Sequence, residues 1–117
     1  MNPMGPNASQ YFCDIEHRPA KTVAEGVKIR TFWGDHMLIS IVELEANAVV
    51  PMHTHSEEQI GTVLSGEMVM IIGDEEKALQ AGDTYIIPGD VPHKAVVGGG
   101  PARAIDVFNP VRKDYMY

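Results

Sequence analysis

His53 and His55 stand two residues apart in the stretch HTHSEEQIGTVLSG. On an extended strand that spacing sends both imidazoles to one face, where they can reach a single ion. Gln59 follows four residues on and offers an amide oxygen. A third histidine, His93, ends the stretch GDTYIIPGDVPH, just beyond a Pro-Gly-Asp turn and a second proline. Three imidazoles and one oxygen donor suit a divalent transition metal with one or two coordination positions left open: nickel, zinc, iron, cobalt or manganese. An open position implies chemistry or ligand binding. Gln59 could instead bond to a ligand without touching the ion. As a neutral amide it leaves the dication's charge uncompensated, which favours Lewis-acid work on an anionic or carbonyl substrate over oxygen activation.

These residues need a β-scaffold, and the chain reads as one. Runs rich in β-branched and aromatic residues cover Val27 to Trp33, Met37 to Leu44, Val49 to His53, Gln59 to Leu64, Glu67 to Ile72, Lys77 to Leu79, Thr84 to Ile87, Ala95 to Val97 and Ala102 to Phe108. Gly34-Asp35 and Gly73-Asp74 fall where hairpin turns are needed, and Ser65-Gly66 is expected to close a further hairpin. No helix is expected. The strand spacing predicts an all-β sandwich or barrel. Residues 1–10, rich in Pro, Gly, Asn and Ser, read as a flexible N-terminal arm, and residues 11–117 as one domain.

The net charge of −7 lacks the basic stripe that nucleic acid or anionic lipid requires. No apolar stretch reaches membrane-spanning length, and the start resembles no signal peptide, so a cytoplasmic protein is expected. Cys13 is the one cysteine, which fits a reducing compartment and carries no assigned role. Met68, Met70 and Ile72 alternate with Val69 and Ile71, and Ala104 and Phe108 with Ile105 and Val107. Both faces of these strands want cover, which points to a homodimer.

The paired stretches resemble the cupins. In that family one motif combines a leading glycine, an HxH pair, an acidic residue and a closing glycine; a second combines Gly, Pro-x-Gly and His with a final Asn. Here Asn47 and Gln59 replace the leading glycine and the acidic residue, while Gly66 matches the closing one. Gly82, Pro88 and His93 match the second motif, with Asp90 and Val97 as departures. Asn47 and Asp90 still tolerate turn conformations that other residues resist. The resemblance implies a single-domain jelly-roll β-barrel, also described as a double-stranded β-helix.

The end of the chain, DVFNPVRKDY, together with EGVKIRTFWGDHMLISIVEL, resembles the pectin-degradation cupins called KdgF. That resemblance implies a metal-dependent isomerase converting 4,5-unsaturated uronate monosaccharides to their linear keto form. It carries functional positions onto Asp106, Phe108 and Arg112, and metal ligands onto His53, His55, Gln59 and His93. The residue chemistry agrees. Asp106 and Phe108 share one strand face, an odd pairing unless that face lines a mixed cavity. Asp106 could move a proton there, Phe108 could form an apolar wall, and Arg112 offers a fork for a substrate carboxylate.

Plainer readings stand beside these. Asp106 could form an ion pair with Arg103 or Arg112, and Phe108 could be core. Glu57 and Glu58 read as an exposed acidic turn, His17 and His36 as surface, and Met52, Met68 and Met70 as gap-filling core. The rival functions are a mononuclear metal cupin dioxygenase acting on an enolisable dicarbonyl, and a non-catalytic cupin that binds metal or a small anion.

Overall fold

The structure, a computed structural model, describes residues 11–117, and the expected arm over residues 1–10 lies outside them. Ten strands follow in order: β1 Lys21–Ala24, β2 Val27–Trp33, β3 Leu38–Leu44, β4 Val49–His53, β5 Glu58–Ser65, β6 Met68–Ile72, β7 Glu75–Leu79, β8 Thr84–Ile87, β9 His93–Val97 and β10 Ala102–Asn109. They form a six-stranded sheet, β1-β2-β3-β10-β5-β8, and a four-stranded sheet, β4-β9-β6-β7, antiparallel throughout. This is a jelly roll. Among the described residues no helix is long and apolar enough to cross a membrane.

Strand parity builds the core. Val27 and Ile29 of β2, Val42 and Leu44 of β3, Met68 and Met70 of β6, Ala95 and Val97 of β9, and Ala102 and Ala104 of β10 are buried together. Their neighbours on each strand face outward. Met68 and Met70 are thus core as expected, whereas Met52 is 50% exposed and is not.

Three further differences have physical causes. β1, KTVA, is a four-residue edge strand with no buried residue, so it carries none of the alternation that betrays a strand. Ser65-Gly66 does not close a hairpin. β5 pairs with β10 and β8, while β6 pairs with β7 and β9, so this turn carries the chain from one sheet to the other. Gly66 (φ +79°) is needed there, because a Cβ would lie 2.7 Å from Ala102 Cα and press on the Pro101 carbonyl. Finally, a 3-10 turn, Lys113–Tyr115, follows the last strand.

That last segment returns to the sheet. The single hydroxyl proton of Tyr117 is shared between the carbonyls of Pro19 and Ile29, which lie 2.7 and 2.9 Å from its oxygen. Thr31 donates to the Tyr115 carbonyl at 2.6 Å, and Arg18 donates to the Tyr117 main-chain oxygen. These bonds bring Tyr115 over one end of the barrel.

Candidate metal centre

His53 is the last residue of β4, paired directly opposite His93 at the start of β9. Pairing slips by one residue between Val50 and His53, which oppose Ala95 and His93. Without that extra residue Val50 and His53, three apart, would face opposite ways; with it both line the cavity. Pro51 lies within the slip, where a missing N–H costs no ladder bond.

His55 lies beyond the strand end rather than on it. Its loop is pinned by the second motif: Asp90 donates its backbone N–H to the His55 carbonyl at 2.8 Å. Gly89 packs against Ser56 so closely that a Cβ would strike the Ser56 carbonyl oxygen. Asn47 and Asp90 both adopt left-handed backbone, with φ of 63° and 66°.

The three ring systems converge, with candidate ligand atoms of His53, His55 and His93 all within 4.8 Å of one another. Each Nδ1 meets a backbone carbonyl: Pro51 at 2.7 Å, Glu57 at 3.0 Å and Val91 at 2.8 Å. Donation from Nδ1 leaves each Nε2 as a lone-pair donor toward the centre. His93 Nε2 is buried and, among the described residues, has no hydrogen-bond partner. Burial pushes His93 down to about 4, so the imidazole is neutral at neutral pH, as a metal ligand must be. The cluster therefore fits a divalent metal.

Gln59, on β5 in the opposite sheet, is buried and places Oε1 3.0 Å from His55 Nε2. Its amide also donates to Asp106. Gln59 thus joins the histidine cluster to the carboxylate. Glu57 is not the exposed residue expected, because its side chain is largely buried 3.6 Å from His55 Nδ1; Glu58 is exposed. His17 is exposed and pairs with Asp14, away from the cluster.

A cavity of about 80 Å³ opens between the sheets, lined at its polar end by His53, Gln59, His93, Asp106, Arg112 and Tyr115. Asp106 accepts a 2.6 Å hydrogen bond from the Tyr85 hydroxyl and, among the described residues, forms no ion pair. Arg103 faces away on the other side of β10 and is exposed. Burial raises Asp106 above the usual carboxylate range, against the opposing pull of Tyr85, Gln59 and Arg112. Arg112 is buried, bonds Asp114 through Nε at 3.1 Å, and lies 3.8 Å over the Tyr115 ring. Phe108 is fully buried, edge-on to both His55 (5.5 Å) and Tyr115 (5.6 Å), so it packs the rings as well as lining the cavity.

Tyr85 and Ser40 are the residues that sequence reasoning missed. Ser40 is fully buried on the cavity wall, opposite Asp106 in the β3–β10 register, and its Oγ has no partner among the described residues. The signal for Tyr85 was Gly61, a glycine inside a strand otherwise rich in β-branched residues, which marks a close approach.

A jelly roll with converging histidines at one end of its barrel defines a class. The cupin-domain family model matches residues 40–108, and the chain belongs to the cupin family. It is 28% identical over 109 residues to the pectin degradation protein KdgF of Dickeya dadantii, across 92% of this chain and 98% of that protein. Among solved structures it resembles an RmlC-like cupin from Shewanella frigidimarina (TM-score 0.85, 26% identity, 92% and 97% of the two chains). It also resembles KdgF from a Halomonas species (TM-score 0.82, 26% identity, 92% and 99%).

Proposed function

We propose that this cupin is a metal-dependent isomerase converting 4,5-unsaturated uronate monosaccharides to their linear keto form. One observation carries this: a carboxylate, Asp106, and a guanidinium, Arg112, line the same cavity as His53 and His93. The likeness to KdgF over nearly the whole chain supports it.

His53, His55, Gln59 and His93 would hold a divalent ion, which would supply Lewis acidity toward a substrate oxygen. Asp106, raised by burial, exchanges protons with the substrate: the anomeric hydroxyl loses one as the ring C–O bond breaks to an aldehyde and an enolate, and the alkene carbon gains one as the enolate becomes the ketone, with no change of oxidation state. Arg112 is held by Asp114 and by the Tyr115 ring, and it receives the uronate carboxylate. Phe108 excludes water beside His55.

The test mixes metal-replete protein with freshly lyase-generated 4,5-unsaturated galacturonate and follows loss of the alkene's ultraviolet absorbance. The expected result is a rate at least about tenfold above the spontaneous one. A rate equal to the blank, with metal demonstrably bound, would sink the assignment.

The homodimer belongs to the same proposal. On the outer face of the six-stranded sheet the register row that begins at the buried Phe32 continues through the half-buried Ile39 and Val107 to Ile60 and Ile86, 44% and 60% exposed. A second copy of the chain is the occupant proposed for this face. Sedimentation at micromolar concentration is expected to give a dimer, and Ile86→Lys a monomer. A monomeric wild type would remove the dimer.

A further inference from the structure

Tyr85 reaches Asp106 across an intervening strand. The register runs Asp106 on β10, Gly61 on β5 and Tyr85 on β8, all on the inner face. Strands two apart are separated by roughly 9–10 Å. A side chain on the middle strand would ordinarily fill that space. Here the middle position is glycine. A Cβ on it would press on Asp106 Oδ1 and lie 2.5 Å from both Cζ and Oη of Tyr85. The pair therefore occupies the volume that any other residue at position 61 would take.

The glycine comes at a cost elsewhere. Inside a strand it is destabilising relative to alanine, and it packs nothing of its own. Gly61 has a function that outweighs this: it admits a 2.6 Å hydrogen bond into the cavity wall. The hydroxyl of Ser40, the register partner of Asp106 on the other side, makes no hydrogen bond among the described residues. Within that row Tyr85 alone holds the carboxylate, whose other side-chain donor, Gln59, lies outside the row.

We propose that Tyr85 is the positioning residue for Asp106, fixing the rotation of its carboxylate so that it meets the ligand in one orientation, and that Gly61 is the gap permitting this. The catalytic consequence rests on the isomerase reading; the geometric part does not. Tyr85 stays a neutral phenol that can donate to the carboxylate, since burial and the neighbouring Asp106 raise it well beyond the ordinary tyrosine value.

The experiment compares metal-replete wild type, Tyr85→Phe, Gly61→Ala and the double variant, each assayed for metal content, for kcat and KM on the unsaturated uronate, and by proton NMR. Tyr85→Phe is expected to keep one metal per chain and a KM within about twofold, and to lose kcat by about tenfold or more. Gly61→Ala is expected to lose at least as much, and the double variant no more than the worse single, because both remove the same contact. In the metal-free wild type a slowly exchanging downfield hydroxyl proton is expected, absent from Tyr85→Phe and from Asp106→Ala, which removes the acceptor. A kcat for Tyr85→Phe within about twofold of wild type would overturn the positioning role. Absence of the hydroxyl proton from wild type would overturn the contact itself. Should wild type leave the uronate untouched, the isomerase reading fails by that result, and the hydroxyl proton with its loss in Tyr85→Phe still decides the contact.

Discussion

Asp106→Asn is expected to lower kcat on the unsaturated uronate by at least about 100-fold while metal content stays at the wild-type level. The amide has nearly the volume of the carboxylate and can still accept from Tyr85 through its oxygen, so the wall of the barrel should not move. What it loses is the capacity to take up and return a proton. Asn is therefore more informative than Ala, which would open a cavity beside Gly61 and free Tyr85 to swing. KM is expected to change by less than about threefold, since the proposed function gives binding to Arg112 and the metal ligands. The measurements are ultraviolet progress curves and metal content by elemental analysis on the same preparation. Turnover within about threefold of wild type would remove Asp106 from the chemistry and leave it as part of a structural hydrogen-bond network.

The neighbourhood of Asp106 shows what could and could not be read from the chain. Alternation in ARAIDVFN placed Ala104, Asp106 and Phe108 on one face, and the structure keeps them there, because a two-residue period leaves no freedom once Ala104 and Phe108 are buried. Asn47 and Asp90, standing where the family has glycine, adopt positive φ, as their short polar side chains allow. Both were local inferences, settled by covalent chemistry within a residue or two. The reach of Tyr85 over Gly61 was not local. It depends on β5 lying between β8 and β10, a non-consecutive order that no short-range signal encodes.

The same limit explains the turn at Ser65-Gly66. Its residues suit a tight turn, and the turn exists, but whether it closes a hairpin or changes sheets is decided by which strands compete for pairing. The slip at Pro51 and Met52 is likewise invisible as a pattern. An even spacing between His53 and His55 was legible as a shared face, yet only His53 is on the strand. His55 is brought in by the Asp90 hydrogen bond from the other motif, so the ligand pair depends on both stretches.

That dependence makes His93→Ala the stronger test of the metal centre. Among the described residues His93 contributes the one Nε2 that is buried without a partner, and its Nδ1 is already fixed by Val91. In the metal-free protein such a nitrogen costs roughly 1–3 kcal/mol, so its removal should leave metal-free stability near that of wild type despite the lost packing. Metal affinity should behave differently. Loss of even a supporting partner to a ligand weakens binding about 10- to 100-fold, and loss of the ligand itself is expected to weaken it by at least about 100-fold. By linkage, a 100-fold loss of affinity removes about 2.7 kcal/mol of metal-dependent stabilisation at saturating metal. Thermal unfolding with and without added nickel or zinc reads this directly: wild type should gain several degrees and His93→Ala almost none. If both proteins respond alike, His53, His55 and Gln59 hold the ion without His93, and the cavity-facing geometry of the centre is wrong. If only wild type responds, the orphaned nitrogen at the start of β9 is a metal ligand, and the coupling of the two sheets through His93 and Gln59 becomes part of what the ion stabilises.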